Sequence, residues 1–186
     1  MSPRKSVQQE LTREMIMDAA NDLFVTKGYQ HVSMRQIAKE LDYSHGAIYY
    51  HFKNKAELFY ALVEKHFHML DEVLEDIMAK DLHPLEKLHA VLVGFMEFGL
   101  THQSHYEIMF LTKDEEVRNF INQGPNTSYE KFAQSVFSLS NKKLTLQEIW
   151  LIFLSLHGFV THYSRHISSF DEVKDLAISH ANFLLK

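Results

Sequence analysis

Proline and glycine are so sparse in this chain that little besides α-helix is open to it. Three prolines and six glycines punctuate 186 residues, and neither occurs from Ala47 to His83. Between them, apolar residues recur at i, i+3, i+4 and i+7, the spacing of helices that bury one face. An all-α chain is expected. With 46% hydrophobic and 12% aromatic residues, it has the material for a real core.

The breaks and caps divide the chain. A first helix is expected from about Ser6 to Lys27, with Ile16, Ala19, Ala20, Leu23 and Phe24 inward, stopped by Lys27-Gly28. Asn54, with Glu57 three residues on, caps a long helix reaching about Lys80. Pro84 suits the first turn of the next, whose stripe is Leu85, Leu88, Val91, Leu92, Phe95 and Met96. Ser104 to Glu107 reads as a capping box, Asp114 to Asn122 as a polar helix or loop, and Gly124-Pro125 as a break before a helix from Thr127. Two further boxes, Thr145 to Glu148 and Ser169 to Glu172, open closing helices over about 146–165 and 170–185. The first of these is apolar nearly all round, which suits a core helix or half of a subunit interface.

Between the first helix and the long one lies SMRQIAKELDYSHGAIYYHFKNK, Ser33 to Lys55. Ser33 and Gln36 form a capping box, and Ile37, Ala38 and Leu41 mark an inward face. Asp42-Tyr43 makes a turn in which Asp42 tolerates the left-handed conformation. Ser44 caps a second short helix with Ala47, Ile48 and Phe52 inward and His45, Tyr49, Tyr50 and His51 outward. Two short helices about a tight turn, with hydrogen-bonding groups on the outer one, suit entry into a DNA major groove. The net charge of −5 does not oppose this: residues 1–55 hold eight Lys/Arg against six Asp/Glu, and the remainder eleven against eighteen, so one end is mildly basic. The division expected is a three-helix unit over 1–53 and a helical bundle over 54–186.

Other classes are disfavoured. No apolar run approaches the ~20 residues of a membrane span, no signal-peptide core is visible, and cysteine is absent. A cytoplasmic protein away from membranes is expected. No nucleophile elbow, phosphate-cradling glycine loop or carboxylate signature marks an enzyme, and no cofactor is expected.

The residues Ile16–Ala20, Phe24, Lys27-Gly28-Tyr29, Val32-Ser33-Met34, Ile37-Ala38, Ala47-Ile48-Tyr49, His51-Phe52, Lys55 and Leu58 agree in order and spacing with one family. Over about the first 60 residues the chain resembles the TetR/AcrR family of bacterial transcriptional regulators. The resemblance implies that Ser33 and Met34 lead the positioning helix, that Arg35 reaches a base edge, and that Ser44 and His45 open the recognition helix. Tyr49 and His51 would donate to phosphate oxygens and Lys55 would meet a phosphate, while Tyr50 is a candidate DNA contact from its place on the outer face alone. Asp42 stands where the family usually has glycine, and His45 where lysine, arginine or a small residue is usual.

The resemblance also implies a homodimer through the last two helices, a palindromic double-stranded operator, and a small-molecule effector in the C-terminal region. Candidate walls for that effector are Phe67, Phe95, Phe98, Tyr106, Phe110, Trp150 and His157. A repressor released by an apolar or aromatic ligand is the expectation. Two alternatives stand beside it. One is a metal-responsive regulator using histidines such as His102/His105 or His162/His166, since thirteen histidines are present and these pairs have helical spacing. The other is a helical interaction module that does not bind DNA.

Overall fold

The computed structural model describes residues 10–112 and 124–186, and among these it contains nine α-helices and no strand. The chain forms two compact units, one reaching Leu62 and one taking over at Val63.

In the first unit, α1 (Arg13–Lys27) starts later than the apolar spacing suggests, because the Thr12 hydroxyl accepts from Met15 N at 3.2 Å and caps it there. The expected start at Ser6 lies outside the described residues. At the other end Gly28 takes φ +82° while its N–H returns to the Phe24 carbonyl at 2.8 Å. A 3-10 turn (Tyr29–His31) leads to α2 (Met34–Glu40) and α3 (His45–His51). Ser33 and Gln36 form the expected capping box, Asp42 sits at φ +58°, and Ser44 Oγ accepts from Ala47 N. The core is closed by Ile16, Phe24, Ile37, Ile48, Phe52 and Phe59, all nearly fully buried.

The long helix α4 (Lys55–Ala79) begins where Asn54 Oδ1 accepts from Glu57 N at 2.8 Å. Its first turns send Leu58, Phe59 and Leu62 into the first core. The passage between the two compact units falls inside α4, at Leu62–Val63.

The second unit holds the rest of α4 with α5 (Pro84–Thr101), α6 (Gln103–Tyr106), α7 (Gly124–Leu139), α8 (Leu146–Tyr163) and α9 (Lys174–Leu184). Leu85 is 57% exposed and lies off the α5 stripe. Ser104 does not cap α6, whose preceding residue is His102; Glu107 is held instead by Arg165, at 2.7 and 2.6 Å, and runs into a π-type turn (Glu107–Leu111). Gln103 adds to that clasp, accepting from Arg165 N at 2.8 Å and donating to the Ile167 carbonyl at 3.3 Å. Helix α7 starts at Gly124 rather than Thr127, because a proline in a first turn surrenders no required N–H. The 114–122 stretch lies outside the described residues. Thr145 and Glu148 box the start of α8 as expected, whereas the Ser169–Glu172 box opens only a 3-10 turn (Phe170–Glu172), with α9 following from Lys174.

Helix α5 packs against α7, α8 and α9. Gly99 permits the closest approach: a Cβ there would lie 2.6 Å from Val160 Cγ1 and 2.9 Å from Tyr106 Cδ2. Helix α8 buries Ile149, Ile152, Leu156 and Val160, yet leaves Leu146, Trp150, Leu151 and Leu154 exposed. Helix α9 buries Ala177 and Ala181 and exposes Leu176 and Phe183. No helix of the described residues is long and apolar enough to cross a membrane.

Candidate nucleic-acid interface and an apolar cavity

Helix α3 is seven residues long, too short to hold its shape alone. It is held at three points. Ser44 satisfies an N-terminal N–H, Ile48 and Phe52 plug the core, and Arg13 secures the far end. The Arg13 guanidinium donates to the His51 carbonyl and lies 3.9 Å from the centre of the Phe52 ring. A cation there meets the unpaired carbonyls and the negative end of the helix dipole. This clamp joins residues 38 apart, so no local pattern announces it.

What remains outside is polar and aromatic. Ser44 and His45 are exposed, Tyr49 is 43% exposed and Tyr50 88%. The His45 and Tyr49 rings meet edge to face at 4.5 Å, and Tyr50 and His51 at 5.3 Å, so the outer face is a paired set of donors and acceptors. Gly46 lies among them with nothing within 4 Å of where a Cβ would stand; the protein itself does not require a glycine there.

Ser33 and Arg35 are exposed on α2. Met34 is not: it is 5% exposed, so the side chain belongs to the core and only its backbone at the helix start could meet a ligand. Lys55 has a structural engagement besides any phosphate. Its Nζ donates to the Tyr29 carbonyl at 2.9 Å and sits 4.0 Å from the Tyr29 ring centre. An ammonium has three donors, so two remain.

The second unit contains a cavity of about 210 Å3. Of the expected walls, Phe67, Phe95, Phe110 and Trp150 line it. Phe98 does not; it is buried against His102, rings 5.1 Å apart. Tyr106 and His157 stand behind the wall, joined by a 2.6 Å hydrogen bond, with the Tyr106 ring 4.6 Å from Phe110. Burial pushes the Tyr106 phenol well above its ordinary range and lowers the His157 pKa, so this pair is neutral at physiological pH. Spacing alone missed Leu70, Leu74 and Ile77 on the same face of α4, the rings of Tyr129, Phe132 and Phe153, and two polar residues, Asp71 and Ser128.

The histidines stack instead of converging. His66 lies on His105 with centroids 4.1 Å apart and planes 13° from parallel, and His102 lies on His105 at 5.4 Å. Burial, then the neighbouring His105, pulls His66 down to about 3. Rings face to face do not aim lone pairs at one point. Among the described residues no group of three or more His, Cys, Asp or Glu is placed to hold a metal ion, and the metal-responsive reading gains no support.

Residues 16–62 match the family described as "Bacterial regulatory proteins, tetR family". The chain is 33% identical to the HTH-type transcriptional regulator AcrR of Shigella flexneri over 108 residues, 57% of this chain and 50% of that one. It is 34% identical to the HTH-type transcriptional regulator SrpR of Pseudomonas putida over 86 residues, 46% of this chain and 33% of that one. The matches thus span half the length of these relatives or less. In fold it is similar to the fatty acid degradation regulator FadR from Bacillus halodurans, with TM-score 0.78, 19% identity and 98% and 97% of the two chains covered. It is also similar to FadR from Bacillus subtilis in complex with stearoyl-CoA, with TM-score 0.77, 22% identity and coverage of 94% and 98%.

Proposed function

We propose that this chain, which belongs to the tetR family of bacterial regulatory proteins, is a cytoplasmic DNA-binding repressor released from a palindromic operator when a small, largely apolar ligand fills the cavity of its second unit. The observation that carries this reading is the short helix α3, fixed by Ile48, Phe52 and Arg13 while His45, Tyr49 and Tyr50 are left outward. A core-only role would not leave Tyr50 88% exposed.

Two copies of α3 must reach successive major grooves, so a dimer is needed. The exposed apolar residues of α8 and α9, Leu151, Leu154, Leu176 and Phe183 among them, supply a surface that a second copy would cover. Helix α4 is the link to the ligand. It gives Leu58, Phe59 and Leu62 to one core and Phe67, Leu70, Leu74 and Ile77 to the cavity wall. A ligand that shifts the wall shifts a helix rooted in both, and a coupling of ~1–3 kcal/mol suffices for regulation.

Selection of genomic fragments by the purified protein tests the reading. A recovered palindrome whose affinity falls steeply with salt is expected. Arg35→Ala should relax sequence preference, and Lys55→Ala should weaken binding to all sequences alike. Binding that is indifferent to salt and sequence would leave the helical interaction module as the better description.

A further inference from the structure

We propose that the cavity is a receptor for a small aromatic or aliphatic cation, a quaternary ammonium in particular, and not for an acyl chain ending in an anion. This rests on the reading that the cavity is where an effector binds. The wall is rich in ring faces. Tyr129, Trp150 and Phe153 meet one another at 5.1 to 5.4 Å, and Phe153 meets Phe95 at 5.7 Å. Ring faces carry the negative end of a quadrupole and attract a cation within about 6 Å.

Among the described lining residues the one that is charged is an acid, Asp71, whose side chain is nine-tenths buried. No Lys, Arg or His is among the described lining residues. Lys131 stands beside Asp71 at 2.8 Å, but it also binds Glu75 at 3.2 Å. Two carboxylates against one ammonium leave this cluster one negative charge in excess, with Asp71 on the cavity side and Glu75, 62% exposed, on the solvent side. An anionic head group would therefore face Asp71 with the neighbouring cation already committed. A quaternary ammonium finds both the rings and the acid, spreads its charge over methyl groups, and has no N–H to leave unpaired in an apolar site. Size agrees as well: an apolar cavity of 150 Å3 holds benzene, so about 210 Å3 suits one ring with a compact substituent.

Trp150 is the chain's one tryptophan and lines the cavity, so its emission reports occupancy directly on the full chain without DNA. The probes are benzyltrimethylammonium, its neutral isostere neopentylbenzene, and the anion 3-phenylpropanoate. The cation is expected to bind about tenfold or more tighter than the isostere, and the anion weakest. Asp71→Asn should remove that preference, bringing the cation down to the affinity of neopentylbenzene. Lys131→Gln, at a side chain 42% exposed, should tighten the cation alone. Equal binding of cation and isostere, tighter binding of the anion, or a cation preference untouched by either variant would overturn the inference. If the cation fails to bind while operator binding persists, the inference falls and the regulator stands. If the cation binds tightly but leaves operator affinity unmoved, the site stands and its role as effector pocket falls.

Discussion

Aromatic rings are packed in both units of this chain, with opposite results. In the first, Phe24, Tyr29 and Phe59 meet at 4.9 to 5.4 Å and close around one another. In the second, Phe67, Phe95, Phe110, Trp150 and Phe153 meet at 5.2 to 6.4 Å and stand around about 210 Å3 of open space. The same residue type seals the scaffold beneath α3 and walls an open space. A ring's contribution depends on whether both its faces have neighbours.

The largest test of that contrast is a pair of truncations. Phe59→Ala in the sealed triad should cost about 3–5 kcal/mol and abolish DNA binding. Phe153→Ala, which widens a cavity already open, should cost markedly less in urea unfolding followed by circular dichroism. Equal costs would show that the second unit is as tightly packed as the first.

Acid should separate the units next. Burial holds His66 down to about 3 and His157 below its ordinary value. Between the unfolded pKa near 6.5 and those lowered values the unfolded chain binds more protons, so stability falls as pH falls through that window. Glu148 adds to this at lower pH, since the backbone and hydroxyl of Thr145 hold its pKa down. Hydrogen exchange from pH 7 to 4 should show the second unit loosening first, and His66→Phe should flatten its response.

Smaller effects probe α3. Ser44→Ala removes its cap and should cost ~1 kcal/mol, with weaker operator binding. Gly46→Ala meets no steric obstacle within the protein and should stabilise by up to about 1 kcal/mol. If it weakens operator binding at the same time, the space over Gly46 is occupied by DNA. Tyr50→Ala should leave stability within about 0.5 kcal/mol while reducing affinity; a large loss of stability would instead place Tyr50 in the scaffold.

These outcomes bear on what a sequence discloses. The boxes at Ser33 and Thr145, the cap at Asn54 and the turn at Asp42 were legible because each joins residues three or four apart, where chain geometry decides the contact. Ser104 misled for the converse reason: its partner Glu107 is taken by Arg165, 58 residues away. Arg13 on Phe52 and Asp71 in the cavity wall were hidden likewise, since tertiary packing chooses them. Met34 was assigned by its place in a motif, and burial withdrew its side chain.

Because α3 is fastened from beneath by Ile48 and Phe52 and at its end by Arg13, positions 45, 49 and 50 are nearly free of folding duties. Such positions can drift. If that outer row meets DNA as proposed, a few changes on it would alter the sequence preferred with no compensating mutation demanded elsewhere.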